Sequence, residues 1–119
     1  MAFSYEEFEE SKAKPLDLGK RFNKGKFRWN LVDFPSLVPM VQVLMFGATK
    51  YSPHNWKKGL PITETIDSLY RHLNALNDGE DNDSESGLPH IGHILCNAMF
   101  LSFMLKNRPD LDDRHKIDS

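Results

Sequence analysis

The fold turns on one stretch: Pro89-His90-Ile91-Gly92-His93-Ile94-Leu95-Cys96-Asn97-Ala98-Met99-Phe100-Leu101-Ser102-Phe103-Met104-Leu105-Lys106-Asn107. It is too long for a strand, and Pro89 and Pro109 bracket it at the positions where a helix opens and where it cannot continue. Its residues are apolar nearly all round, the pattern of a helix covered on several sides, so the sequence predicts a central, most buried helix over about 89–107. The apolar run Ile94–Leu105 is interrupted by Asn97 and Ser102 and is too short to span a bilayer.

Upstream, Ile62, Ile66, Leu69, Leu73 and Leu76 recur at helical spacing behind Pro61 and Thr63, and Gly79 sits where a C-terminal stop belongs. These residues predict a second helix over about 62–77. A first helix is expected over about 35–50, with Pro35 at its first position, Pro39 still within the first turn, and Leu37, Val41, Leu44 and Ala48 in register. Tyr51–Trp56 reads as a turn or ordered loop, and 79–87 as a polar acidic loop. No strand pattern of comparable length is present. The expectation is an all-α fold, a small bundle of three main helices, with a further short helix at Tyr5–Ala13. Three helices leave the apolar third helix hard to cover within one subunit, so a homo-oligomer is expected.

The chain of 119 residues is expected to form a single domain, with a basic arm at 1–33, a helical core at 34–108 and a flexible tail at 109–119. Between Lys12 and Arg28 seven cations stand against one anion, Asp17. Such an arm is either a solvated segment or a strap over an anionic ligand. Across the whole chain, 15 Lys and Arg against 17 Asp and Glu give a net charge of -2, which argues against a partner as anionic as a nucleic-acid polymer. A single cysteine, Cys96, excludes an internal disulfide framework and suits a reducing compartment. The first residues have neither a basic nor an apolar signal region, so the expected location is the cytoplasm, with no membrane partner.

His90, His93 and Asn97 fall within roughly a 60° arc of the third helix. Burying three polar groups on an apolar helix is unfavourable unless each finds a partner, so the arc is either a functional site or an interhelical hydrogen-bond network. On the second helix, Asp67 and Arg71 are spaced for a surface ion pair, while Arg71 and His72 could place a guanidinium and an imidazole at the mouth of a pocket. The loop 79–87 carries Glu80, Asp81, Asp83 and Glu85, hard oxygen ligands suited to Mg²⁺ or Ca²⁺. An EF-hand is excluded: counted from Asp81, the twelfth position is Gly92 instead of Glu and the sixth is Ser86 instead of Gly. Lys26, Arg28 and Trp29, and then Lys50, Tyr51, Asn55 and Trp56, set aromatic rings beside cations and an amide. That mixture suits a nucleotide: rings against the base, cations on phosphate, an amide at a base or sugar edge.

The order Gly-Lys-x-Arg-Trp (25–29), Phe-Gly-Ala-x-Lys-Tyr (46–51), Asn-Trp (55–56), Arg-His (71–72), Gly-Glu-x-x-Asp-x-Glu-Ser-Gly (79–87) and His-x-x-His-x-x-x-Asn (90–97) resembles the phage-type dATP/dGTP diphosphohydrolase N-terminal family, which is similar to MazG-like nucleotide pyrophosphohydrolases. The resemblance covers about residues 20–105. It implies an all-α, oligomeric enzyme that uses Mg²⁺ or Mn²⁺ to split purine deoxynucleoside triphosphates into monophosphate and pyrophosphate by water attack at the α-phosphorus. The phosphate contacts would be Lys26, Arg28, Lys50 and Arg71, with Trp29, Tyr51, Asn55 and Trp56 around the nucleoside and Asn97 either behind the metal group or as a sugar contact. The metal and water-activating group would be His72, Glu80, Asp83, His90 and His93, among which Glu80, His72 and His93 would be catalytic. The chain departs from the MazG pattern of two acidic helix motifs: its first helix has no carboxylate, and the helical acids nearby are Glu64 and Asp67. Either the histidine-rich set ligates the metal, or the MazG analogy fails at the site. An HD-type phosphohydrolase needs an adjacent His-Asp pair, and none occurs. The alternative reading is a non-catalytic phage protein that sequesters a nucleotide.

Overall fold

The computed structural model describes residues 17–117, so the helix expected at Tyr5–Ala13 lies outside the described residues. Three α-helices form the bundle: α1 (Val38–Lys50), α2 (Ile62–Asn77) and α3 (His90–Asn107). Among the described residues there is no strand; a single antiparallel bridge joins Asn82 to Pro89. The described chain divides into two units between Val32 and Asp33. In the first, residues 17–32, a turn closes with Lys26 N–H donating to Asn23 C=O, a 3-10 turn covers Trp29–Leu31, and the Phe27 and Trp29 rings meet edge to face at 6.4 Å.

In the second unit α3 packs against both α1 and α2, which make little contact with each other. The helix whose residues are apolar all round is thus the central one. The buried residues on the helices are Ile62 and Thr65 of α2, and His90, Gly92, Cys96, Asn97 and Met104 of α3. Gly92 is what lets α1 approach: a Cβ there would stand 2.4 Å from the Pro39 carbonyl oxygen. Cys96 Sγ, beside it, donates to Met40 C=O at 3.3 Å.

The α-helical part of the first helix begins at Val38, three residues later than the spacing predicts. Residues Phe34–Leu37 instead form a 3-10 turn capped by Asp33, whose carboxylate accepts from the Ser36 N–H and hydroxyl. The reason is Pro39. It has no N–H to bond the Pro35 carbonyl in an α-turn, so Val38 N–H takes that carbonyl in the tighter one.

α2 ends where Gly79 predicts. Gly79 adopts φ +93°, its N–H donates to Leu76 C=O, and Glu80 N–H reaches back to Ala75 C=O, the paired bonds of a Schellman motif. At the other end of α2, Asp113 accepts from both the N–H (2.9 Å) and the hydroxyl (2.7 Å) of Thr63. The tail is therefore held to the bundle at that point, after a 3-10 turn at Pro109–Leu111. Val41 and Met45 on α1, Tyr70 and Leu73 on α2, and Ile91 and Leu105 on α3 are exposed. No helix of the described residues is long and apolar enough to cross a membrane.

Candidate functional site

Three local structures bring the polar side chains together. The Schellman turn delivers Glu80 to the end of α2. The acidic loop then doubles back as a narrow hairpin: Asp83 N–H donates to Leu88 C=O at 2.8 Å, Gly87 N–H to Asp83 C=O at 2.7 Å, and His90 N–H to Asp81 C=O at 2.8 Å. Inside it the Asp83 carboxylate accepts from Ser86 N–H, three residues on, at 2.8 Å. The hairpin is thereby fastened onto the first turn of α3, where His90 and His93 stand one turn apart. His72, in the penultimate turn of α2, completes the group from the facing helix.

The imidazoles interlock. His72 Nδ1 lies 2.8 Å from His90 Nδ1, and the His72 ring stacks flat on that of His93 with centroids 4.3 Å apart. His93 Nε2 hydrogen-bonds the Ser86 hydroxyl at 2.8 Å and lies 3.9 Å from Asp83 Oδ2. His90 is 3% exposed. Its Nε2 is 3.3 Å from Glu80 Oε1 but is not aligned for a hydrogen bond, and it is the buried side-chain polar atom left without one among the described residues. One donor atom from each of His72, Asp83 and His90 falls within 4.8 Å of the others. Burial pushes the His72 imidazole below its ordinary value, and the neighbouring His93 adds to this. Burial likewise lowers His93, against the opposing pull of Asp83. Burial alone would raise the Asp83 carboxyl, but the Ser86 hydrogen bonds, with His93 and His72 nearby, outweigh it and hold the carboxyl low. Neutral imidazoles beside an ionised carboxylate are the protonation states that a divalent ion needs of its ligands.

His72, Asp83 and His93 of this cluster line a cavity of about 740 Å³, within the roughly 300–1,000 Å³ range of small-molecule sites. Its polar lining includes His72, Asp83, Ser86 and His93, and its apolar lining Val41, Leu44, Met45, Phe46 and Phe100. Lys50, Tyr51, Asn55, Trp56 and Asn97 also line it. Lys50 Nζ is 3.2 Å from Glu85 Oε1, a pair linking the end of α1 to the acidic hairpin, and lies 5.4 Å from the Tyr51 ring centroid. The Trp56 ring stacks on Phe100 at 4.7 Å and meets Phe103 edge-on at 5.0 Å, so it is anchored to α3, whereas Tyr51 is exposed. Asn97 is buried, with Nδ2 donating to Ser68 Oγ at 3.1 Å.

The structure thus groups His72, Glu80, Asp83, His90 and His93. It does not bring Arg71 to the cavity: that side chain is exposed and absent from the lining. Glu64 and Asp67 are exposed as well. Lys26, Arg28 and Trp29 belong to the unit 17–32. Sequence reasoning assigned no role to Ser86 or Ser68, and it read Glu85 as one of the loop's oxygen ligands without foreseeing its pairing with Lys50. The spacing Asp83-x-x-Ser86 suits a local side-chain-to-backbone bond, which would have located Ser86; the pairings of Ser68 and Glu85 have no sequence signal, because their partners are 29 and 35 residues distant.

Comparison with known proteins follows the same boundaries. The family model described as "dATP/dGTP diphosphohydrolase, N-terminal" matches residues 17–114. A protein of Salmonella phage PMBT28 named "dATP/dGTP diphosphohydrolase" is 38% identical over 96 residues, covering 81% of this chain and 33% of the phage protein. The chain therefore spans about a third of that relative's length. No solved structure matches it. With the family model covering both the helices and the acidic hairpin, the chain belongs to the dATP/dGTP diphosphohydrolase N-terminal family.

Proposed function

We propose that this site hydrolyses purine deoxynucleoside triphosphates, dATP or dGTP, to monophosphate and pyrophosphate with a divalent ion. The observation that carries the reading is one cavity lined both by apolar side chains and by histidine and carboxylate groups, the mixture a nucleotide requires. The name of the phage relative supports the substrate class. His72, Asp83 and His90, whose donor atoms lie within 4.8 Å of one another, would hold the ion, with Glu80 and His93 beside them. When bound, a divalent ion lowers the pKa of water and neutralises charge developing on phosphate.

The chain's own residues account for the rest. Lys50, at the cavity rim, exchanges Glu85 for a phosphate oxygen. Tyr51 covers the nucleoside, and Asn55 and Asn97 offer amides to its edges. His93, neutral and facing the cavity, accepts the proton of the attacking water as an oxygen–phosphorus bond forms at the α-phosphorus and pyrophosphate leaves with the bridging oxygen. The exposed apolar residues Val41, Met45, Leu73 and Leu105 support a homo-oligomer, which light scattering on the purified chain tests.

A panel of dNTPs and NTPs with Mg²⁺ or Mn²⁺, separated by anion exchange with independent pyrophosphate and phosphate detection, tests the reaction. Monophosphate plus pyrophosphate from dATP or dGTP is expected. Nucleoside plus triphosphate would move the attack to another bond. A nucleotide bound and returned intact would replace hydrolysis with sequestration.

A further inference from the structure

The donor set differs from that of an ordinary magnesium site. Mg²⁺ keeps its water shell and is held through oxygen ligands, usually one or two carboxylates and substrate phosphates. Here three imidazoles and two carboxylates converge, and the most buried of the five groups is a nitrogen ligand, His90. Imidazole nitrogen binds first-row transition ions more strongly than Mg²⁺, in the order that rises from Mn²⁺ through Co²⁺.

We infer that the site selects a first-row transition ion over Mg²⁺, held by the Nδ1 atoms of His72 and His90 and by Asp83, with Glu80 positioning His90 from behind. The inference rests on the proposed function for the presence of a metal, and adds which ion and which atoms.

Two observations carry it. The first is the contact between two like nitrogens. His72 Nδ1 and His90 Nδ1 face each other at 2.8 Å, which a single shared N–H satisfies. Two nitrogens about 2.1 Å from one ion and at right angles around it lie roughly 3 Å apart, so the pair is already spaced as neighbouring ligands. The ion takes both lone pairs in place of that one proton.

The second is the unpartnered His90 Nε2. An imidazole that ligates through Nδ1 carries its hydrogen on Nε2 and needs an acceptor there. Glu80 Oε1, 3.3 Å away, is that acceptor once the ring turns to meet the ion. Carboxylate–histidine–metal arrangements of this kind fix the tautomer and the ring plane and make the ligand more basic. Glu80 is in place because the Schellman turn puts it there. It is therefore a positioning residue, acting on the ion through His90.

The test is direct metal binding by the untagged, metal-stripped chain, free of nucleotide. Equilibrium dialysis with elemental analysis gives stoichiometry and affinity for Mn²⁺, Co²⁺, Zn²⁺ and Mg²⁺, and the visible spectrum of the Co²⁺ form reports its ligands. One transition ion per chain is expected, bound at least 100-fold tighter than Mg²⁺. Asp83→Asn and His72→Asn, both at half-buried positions, are expected to abolish tight binding and the Co²⁺ spectrum while leaving the circular dichroism unchanged. Glu80→Gln is expected to keep the stoichiometry, weaken binding by about 10–100-fold and shift the Co²⁺ bands. Mg²⁺ binding as tight as Mn²⁺, no ion bound at all, or variants that bind Co²⁺ like the wild type would each overturn the inference. Pyrophosphate release from dATP or dGTP supported by Mg²⁺ in a chain that holds no transition ion would do so while leaving the proposed function standing. One tightly bound ion with no nucleotide turnover would sink the proposed function alone.

Discussion

The rings of His72 and His93 lie 2° from parallel, although one belongs to α2 and the other to α3. The stack joins the two helices by packing, while the His72 Nδ1 contact to His90 joins them by chemistry. The two roles separate on substitution. His72→Phe keeps a flat ring against His93 but leaves the buried His90 Nδ1 without its partner, and is expected to cost about 1–3 kcal/mol of stability while the fold survives. The same variant is expected to lose dATP or dGTP hydrolysis. Urea unfolding and the product assay on one sample check both, and a fully active His72→Phe protein would remove His72 from the site.

His93 faces the cavity with Nε2 on Ser86. If it takes the proton from water, His93→Ala should reduce kcat by about 10²–10⁴-fold, the usual contribution of a positioned base, with little change in KM. Ser86→Ala, which leaves the base but frees its ring, should reduce kcat less. Equal losses in the two variants would assign His93 a purely structural part.

Lys50 and Glu85 meet at 3.2 Å on the rim of the cavity, and the carboxylate raises the lysine pKa chiefly through that hydrogen bond. A phosphate must compete with Glu85 for the ammonium. Lys50→Ala is therefore expected to raise KM for the nucleotide about tenfold, one charge-assisted contact, while Glu85→Gln lowers it. Steady-state kinetics at fixed metal concentration decide the matter; a rise in KM for Glu85→Gln would refute the competition.

The three helices were legible because their signals are local: apolar spacing, Pro61 and Pro89 at the openings, Gly79 at a close. The 3-10 start at Phe34 was less so, since it depends on which carbonyl Pro39 leaves without a partner. At the site, His90, His93 and Asn97 declare themselves as polar residues on an apolar helix, Glu80 and Asp83 as acids crowded in one loop, and the family resemblance joins them with His72 into one group. What the chain could not reveal is pairing at long range. Lys50 with Glu85, Asn97 with Ser68 and Thr63 with Asp113 are surface-type residues whose partners are fixed only by the way the helices cross. Arg71 was misleading in the opposite sense: it neighbours His72 in sequence, but one residue along a helix turns the side chain about 100°, here away from the cavity.

Two glycines on facing helices make a contrasting pair. Gly92 sits where a methyl group would meet the Pro39 carbonyl at 2.4 Å, and backbone cannot yield as a side-chain tip does. Gly92→Ala is expected to destabilise by about 1–3 kcal/mol through overpacking. Gly47, inside α1, has nothing within 4 Å of such a methyl group. Gly47→Ala is expected to stabilise by about 0.5–1 kcal/mol by restricting the unfolded chain. Chemical denaturation of the two variants checks the signs, and a stabilised Gly92→Ala would mean that α1 and α3 do not approach as described.

Asp113 supplies the N-terminus of α2 with an acceptor from outside the helix, because Pro61 at the capping position has no side-chain oxygen to offer. The bonds from the Thr63 hydroxyl and N–H hold its carboxyl below the ordinary 3.8. The sign of the pH effect follows. In the unfolded chain the group protonates near its ordinary value, and in the folded chain only at lower pH, so between the two the unfolded state binds more protons and stability rises with pH. The contribution is complete above the ordinary carboxyl value and is lost as pH falls through the depressed one. Asp113→Asn removes the charge at every pH, so its melting temperature should lie below that of the wild type at neutral pH, and the two curves should converge in acid. Parallel curves from pH 7 down to pH 3 would show that Asp113 does not cap α2 in solution.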